Sequence, residues 1–332
     1  MNQFEKLHTN QRLLLEELQS RGAHIEVLIP ELEIVEVILG DKREILADRD
    51  SSRTPYAGSL LAANKYVTKL LLRRAGLPVP RGEMFYPDQI ADAVAFSTKV
   101  DGPKILKPPV GSHGDGCVTD ISCTEELHRC ISDFLVQRGA HAPFLIEEQV
   151  AGSEVRVFIT ERGDFAALER DPAFVVGDGE ATIEELIARE NNERGVGPGR
   201  VLCQIPIDRV VTSTLKKAGL DLSSIPRKGN KVYLRRNSNL ATGGVSRDIT
   251  DTTHPSIIEL ARRALAVFPG MPYAGIDLLC SNPTEAVTCS SATILEVNSN
   301  PGFSMHVRPA IGQGRNVAAF VADILFPQSS RY

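Results

Sequence analysis

The chain has 332 residues, 42% of them hydrophobic, with a formal net charge of −5 and a sequence pI of about 5.9. That length and composition suit a compact body of two or three subdomains. They argue against a broad basic surface for nucleic acid, and no apolar run is long enough to predict a membrane span. The six cysteines show no Cys-x-x-Cys spacing and the N-terminal stretch lacks a secretory apolar core, so reduced thiols in a cytoplasm are expected.

The apolar spacing of Leu7, Leu13, Leu14, Leu15 and Leu18 predicts a helix over 5–22, stopped by Gly22. Short strands are expected at 24–28, 34–39 and 43–46, then a polar break at 51–58. A helix over 64–75 ends at Gly76-Leu77-Pro78-Val79-Pro80, because proline cannot continue it. Another amphipathic helix covers 88–98. Strands follow at 104–107 and 117–121, flanking a glycine-rich loop at 111–116, with a helix over 124–138. Strands at 144–150 and 154–160, a helix at 180–193, a strand at 232–234, a helix at 255–268, strands at 274–280 and 293–297, and a helix at 314–325 complete the chain. Strands and helices mix without regular βα alternation, which predicts an α+β fold. The expected division is a short N-terminal α/β region (1–55), a helical linking region (56–100), a subdomain with the glycine-rich flap (101–153) and a C-terminal subdomain with the metal and substrate site (154–332).

Gly111-Ser112-His113-Gly114-Asp115-Gly116 is the first chemical signal. Glycines allow backbone amides to approach phosphate oxygens closely. A Walker A loop would place Lys-Ser/Thr after the last glycine, but Cys117-Val118 follow. A dinucleotide-binding loop would open a helix, but the sequence reads as a strand. A glycine loop between two strands reads instead as a flap over a nucleotide, with Lys107 as a cation for its phosphates. A plain hairpin beside a solvated lysine is the alternative.

The second signal is stronger. Ala274-Gly275-Ile276-Asp277-Leu278-Leu279 and Ile294-Leu295-Glu296-Val297-Asn298 are apolar strands carrying carboxylates. The strand period of two puts Glu296 and Asn298 on one face and turns Leu295 and Val297 to the core. Hairpin-like pairing brings Asp277 beside them. Two carboxylates and an amide oxygen are hard ligands that suit Mg²⁺ held together with phosphates, and Mn²⁺ can substitute. A strand edge in water is the alternative for either carboxylate alone. Phe144-Leu145-Ile146-Glu147-Glu148-Gln149-Val150 runs from apolar to acidic, as a hinge offering groups to an adenine edge does, with Glu154 placed for the ribose. Arg235 and Arg236 precede Asn237-Ser238-Asn239-Leu240-Ala241-Thr242-Gly243-Gly244. Their planar forks suit a phosphoryl group.

The order of these parts resembles the ATP-grasp superfamily. Within it the chain is most similar to the ATP-grasp domains of cyanophycin synthetases and of glutathione-synthetase-like ligases. The resemblance runs over about 56–325. It rests on Asn64-Lys65-Tyr66-Val67-Thr68-Lys69, Pro78-Val79-Pro80-Arg81-Gly82, Val175-Val176-Gly177-Asp178-Gly179, the Arg235-Arg236 and Asn239–Gly244 stretches, Ala274-Gly275-Ile276-Asp277 and Glu296-Val297-Asn298. It implies an ATP-grasp fold with the nucleotide between two α+β subdomains. It also implies ATP and one or two Mg²⁺ as cofactors. Lys65 and Lys107 would contact phosphates, and Gly111, Ser112, His113, Gly114 and Gly116 would cover them. Glu147, Gln149 and Val150 would meet the adenine, and Glu154 the ribose. Asp277, Glu296 and Asn298 would bind the metal. Arg235 or Arg236, with Asn239, would stabilise an acyl phosphate. Glutathione synthetases place an arginine two residues before the Asn-Leu-Ala-x-Gly-Gly run, where this chain has Asn237, so either arginine can take the role.

The implied activity is an ATP-dependent carboxylate–amine ligase acting on amino acids or short peptides, as a homodimer or larger assembly. Cyanophycin synthetases carry a longer N-terminal region and a second, Mur-ligase-like domain. The match here ends near Phe326, so a free-standing ligase forming one amide bond is expected rather than a polymerase. A kinase of the same fold and a non-catalytic nucleotide-binding module are the rival expectations. Arg156, Arg194, Arg200, His306 and Arg308 are the candidates for holding substrate carboxylates.

Overall fold

The structure, a computed structural model, describes residues 4–111, 116–194 and 202–327. Helix α1 (Thr9–Ser20) starts where the His8 side chain accepts from the Asn10 amide. An antiparallel meander follows, β1 (His24–Ile29), β2 (Ile34–Leu39) and β3 (Lys42–Ala47). The stretch expected to be a polar break instead leads into α2 (Tyr56–Ala63). Its Ala- and Leu-rich run after Pro55 has enough helix propensity to form a helix. Asn64 then leaves the helical region and caps the amides of Tyr66 and Val67, starting α3 (Lys65–Arg74).

Next come β4 (Gly82–Phe85), α4 (Ile90–Ser97), β5 (Lys104–Lys107), β6 (Val118–Ile121), α5 (Thr124–Arg138) and β7 (Phe144–Glu148). The strands form an antiparallel sheet of order β4–β7–β5–β6. One face, with Phe85, Leu106, Phe144 and Ile146, packs on Ala93 of α4 and Leu127, Ile131 and Phe134 of α5. Alternation along the strands turns Lys107, Leu145 and Glu147 to the other face.

The remaining elements are β8 (Ser153–Thr160), β9 (Phe165–Asp171), β10 (Phe174–Val176), α6 (Ile183–Arg194), α7 (Arg209–Lys217), β11 (Lys231–Tyr233), β12 (Val245–Asp248), α8 (Pro255–Ala266), β13 (Tyr273–Cys280), β14 (Ala292–Asn298), α9 (Ser304–Val307) and α10 (Val317–Leu325). The chain divides into two compact units. The first comprises Met1–Ala167, Thr250–Val307 and Arg315–Tyr332, and the second Leu168–Ile249 and Arg308–Gly314. The break between them falls inside β9.

In the first unit β13 lies between β8 and β14, antiparallel to both. A strand with neighbours on both sides and both faces covered reads as a continuous apolar run, which accounts for the sequence around Asp277. Leu14, Leu15 and Leu18 of α1 pack with Val321 and Leu325 of α10 and with Val35, Val37 and Leu46 of the meander. Phe158, Tyr273 and Phe303 join that core. In the second unit β10 pairs with β11, and β12 pairs with Leu168–Asp171 of β9. Helices α6 and α7 cover a smaller core that includes Ile183, Ile187, Ile205, Leu215 and Leu234. The architecture is α+β. Among the described residues, no helix is long and apolar enough to cross a membrane.

Candidate active site

Two charged clusters lie in the first unit, one on each sheet. On β8, β13 and β14 the register sets Arg156 opposite Asp277, and Asp277 opposite Glu296. Directly opposed residues share a face, so the three side chains form a row across the sheet. Asn298 lies two residues beyond Glu296 on the same face. Glu154 stands two residues before Arg156, also on that face, opposite Leu279. Arg156 donates from Nε to Asp277 Oδ1 and from Nη2 to Asp277 Oδ2, both at 2.5 Å. The two side chains are only 10% and 8% exposed, so little water screens the pair. Burial works against the guanidinium's charge, but Asp277, Glu296 and Glu154 outweigh it and hold the group above its usual range. When the Asn298 amide is turned to match both neighbours, it donates to Glu296 Oε1 at 3.3 Å and accepts from Arg156 Nη2 at 3.0 Å. Gly275 lets Pro301 pack against β13, since a Cβ there would lie 2.9 Å from Pro301 Cβ.

One local expectation changes. The register shifts between Asp277↔Glu296 and Leu278↔Ile294, so Leu295 is the extra residue of a bulge. Leu295 is therefore half-buried rather than in the core, whereas Val297 is buried.

The second cluster faces off the β4–β7–β5–β6 sheet. Glu147 is 1% exposed and sits between two ammonium groups. Lys69 Nζ is 2.6 Å from its Oε1, and Lys107 Nζ is 2.7 Å from its Oε2. The Lys69 contact is an ion pair whose angles do not make a good hydrogen bond. Burial disfavours charge on all three. Between Lys107 and Glu147 mutual attraction prevails, holding the ammonium above and the carboxyl below its usual range. Lys69 is desolvated and also repelled by Lys107, and its ammonium is pushed down to about 8. Gly82 makes space for this cluster, since a Cβ there would lie 2.5 Å from Glu147 Cγ. The sequence reading missed Lys69. The available signal was its position four residues after Lys65, which places both on one face of α3.

Lys65, one helical turn before Lys69 on α3, reaches the acidic row. Its Nζ donates to the Gly111 carbonyl and lies 3.8 Å from Glu296 Oε1. Gly111 has φ +142° and Gly116 φ +70°. A Cβ on Gly116 would meet only the movable end of Arg138, at 2.7 Å, so it is the backbone conformation that disfavours a side chain there. Ser112, His113 and Gly114 lie outside the described residues. At the hinge, the Gln149 amide donates to Pro103 O at 2.9 Å and its side chain makes a double contact with Asp120. The Val150 amide has no partner among the described residues. Gln149 and Val150 border a cavity of about 520 Å³, together with Leu77, Pro78, Glu148 and Thr293. That volume falls within the range of small-molecule sites.

The other expected residues divide as follows. His306 does not face a substrate. It is fully buried, its ring edge-on to Phe158 at 5.9 Å between centroids, because α9 packs it into the aromatic core. Arg156 holds a carboxylate, as expected of it, but that carboxylate is the chain's own Asp277. Arg235, Arg236, Asn239 and Arg308 belong to the second unit. There Arg235 is 4% exposed and paired with Asp208 Oδ2 at 2.5 Å, while Arg236 and Arg308 are exposed. The Asn239 side chain caps the turn at Leu240–Thr242 by accepting from the Ala241 amide. Arg194 is also buried, donating to the carbonyls of Gly243 at 2.8 Å and Cys203 at 3.0 Å, so it braces the backbone. Arg200 lies outside the described residues.

Among the described residues no group of three or more His, Cys, Asp or Glu forms a complete metal cage. Asp277, Glu296 and the Asn298 amide nevertheless fit a hard divalent cation that takes its remaining oxygens from phosphates and water. The lysine cluster holds two ammonium groups for one carboxylate, so it fits the anionic partner of such a cation.

Sequence and structural similarity to known proteins place the chain in the ATP-grasp superfamily, whose ligases use ATP and Mg²⁺ in general. No protein-family model matches the chain. It is 40% identical over 283 residues to cyanophycin synthetase of Geminocystis herdmanii, covering 84% of this chain and 32% of that protein. It is 32% identical over 330 residues to the glutathione biosynthesis bifunctional protein of Enterococcus faecalis, covering 98% of this chain and 43% of that one. The crystal structure of a bifunctional glutathione synthetase from Pasteurella multocida superposes with a TM-score of 0.70 at 30% identity, over 98% of this chain and 45% of that chain. The chain thus spans well under half the length of the curated relatives it matches.

Proposed function

We propose that the chain is an ATP-dependent carboxylate–amine ligase that joins amino-acid or short-peptide substrates through an acyl phosphate. The observation that carries this reading is the row Arg156–Asp277–Glu296 with Asn298, in the same unit as the Lys69–Glu147–Lys107 cluster. The names of the similar proteins, a cyanophycin synthetase and a glutathione synthetase, support the same class.

Lys69, Lys107 and Lys65 hold the nucleotide phosphates as fixed cations. Glu147 keeps the first two charged and aligned. The Val150 amide, without a partner among the described residues, donates to the adenine edge, and Glu154 accepts from the ribose. Asp277, Glu296 and Asn298 hold Mg²⁺, which when bound neutralises charge on the phosphates. A substrate carboxylate oxygen attacks the γ-phosphorus, the bond to the β–γ bridging oxygen breaks, and ADP leaves with that electron pair. The amine then attacks the acyl carbon. The C–O bond breaks, phosphate departs and the amine gives up a proton. Arg235 is buried against Asp208 and Arg236 is exposed, so the acyl-phosphate role is assigned to Arg236.

A screen of amino-acid pairs for ADP and phosphate release, with mass spectrometry of the products, tests the proposal. Release is expected only when an acid and an amine are both present, and in equal amount to the amide. ADP formed with the phosphate retained on a product would identify a kinase instead.

A further inference from the structure

Arg156 occupies an unusual place for a substrate-binding arginine. Its fork engages both oxygens of Asp277, each at 2.5 Å, inside a buried pair. The pairing is fixed by strand register, since the two residues are direct partners on β8 and β13. Glu296 faces Asp277 from the other side, and Glu154 adds a further carboxylate that acts on the guanidinium. A monovalent cation is therefore seated against the same oxygens that suit a divalent one. Without it, cross-strand carboxylates in a site of low exposure would repel each other. With it, a dication arriving at Asp277 meets a buried positive charge at contact distance.

On the metal-site reading given above, we infer that Arg156 is an exchangeable counter-ion: a divalent cation displaces its fork from Asp277, and the freed guanidinium turns to the phosphoryl anion that accompanies the metal. Arg156 is thus a positioning residue that couples the two arrivals. Free metal binds weakly because it strands a buried guanidinium. Metal with nucleotide binds well because the phosphate takes up the released fork, and by reciprocity each ligand raises the affinity of the other.

The test uses Mn²⁺ alone as the probe, followed by loss of its free-ion electron paramagnetic resonance signal, on the whole chain without nucleotide. Arg156→Gln is expected to tighten Mn²⁺ binding by at least about tenfold. Arg156→Lys keeps a charge but loses the two-point fork, and about threefold tightening is expected. Circular dichroism and thermal melting establish that each variant is folded, and Arg156→Lys decides the matter if Arg156→Gln does not fold. Unchanged or weaker Mn²⁺ binding in the folded variants overturns the exchange and makes Arg156 a fixed support for Asp277. A further arm adds a non-hydrolysable ATP analogue. If no protein-bound Mn²⁺ forms even then, the metal site itself is wrong and the exchange falls with it.

Discussion

The two charged clusters of the first unit are near mirror images. On one sheet a single carboxylate, Glu147, lies between two ammonium groups. On the other, the carboxylates of Glu154, Asp277 and Glu296 share the Arg156 guanidinium and the Lys65 ammonium, 3.8 Å from Glu296. Each is unbalanced by one charge, in opposite directions. A structural ion pair has no need of surplus charge, and burying it costs stability. The imbalance therefore points to missing partners: an anion for the lysines and a cation for the carboxylates. A nucleotide polyphosphate with its metal supplies both at once.

The comparison can be broken most forcefully at the acidic cluster. Asp277→Asn and Glu296→Gln each keep the side chain's shape but remove a charge from the cation's side, and thermal melting establishes that each variant is folded. A loss of at least about a hundredfold in the rate of ADP formation is expected for each. Measured steady-state rates close to the parent protein would show that these oxygens are structural.

The basic cluster should respond more mildly and with pH. Lys69 carries a pKa of about 8 in the folded chain, below that of a free lysine. Below that value both lysines are charged. As pH rises through it Lys69 loses its charge, and ATP affinity should fall while Lys107 stays charged. For stability the sign is opposite: the folded state binds fewer protons than the unfolded one between about 8 and 10.4, so this group's contribution becomes more favourable across that window. Lys69→Met should weaken ATP by roughly thirtyfold at neutral pH, the value of one charge-assisted contact, and should flatten the alkaline fall. Calorimetric titration from pH 7 to 9.5 reads both, and an equal fall in Lys69→Met would assign the pH effect elsewhere.

The smallest expected effect separates the paired arginines of the second unit. Arg235 is buried against Asp208, whose own side chain is 43% exposed, so the ion pair itself is partly screened. Arg235→Ala should cost about 1–2 kcal/mol in denaturant unfolding, mostly from lost packing. Arg236→Ala should leave unfolding unchanged and lower kcat. The reverse pattern would exchange their roles.

Much of this site was legible because it is local. The period of two along Glu296-Val297-Asn298 put Glu296 and Asn298 on one face, and the apolar run around Asp277 marked a strand expected to pair with theirs. What stayed hidden depends on pairing between distant segments. Nothing near Arg156 in sequence shows that its partner is Asp277, 121 residues away. Lys69 read as one more polar position on an amphipathic helix, and only the arrival of β7 makes it a buried charge. His306 reads as a substrate-facing side chain, yet it is buried with the Phe158 ring edge-on to it. The second unit's strands are three or four residues long outside β9, too short for their alternation to stand out. The bulge at Leu295 likewise follows from register, which the residue pattern alone does not fix.

The central claim is that a substrate carboxylate is activated by phosphorylation. It is tested most directly with a substrate acid labelled with ¹⁸O in its carboxylate, incubated with ATP, Mg²⁺ and the amine that supports turnover. If the carboxylate oxygen attacks the γ-phosphorus and the amine then displaces phosphate, the released phosphate carries one ¹⁸O, visible by mass spectrometry. Unlabelled phosphate alongside the amide product would contradict the account.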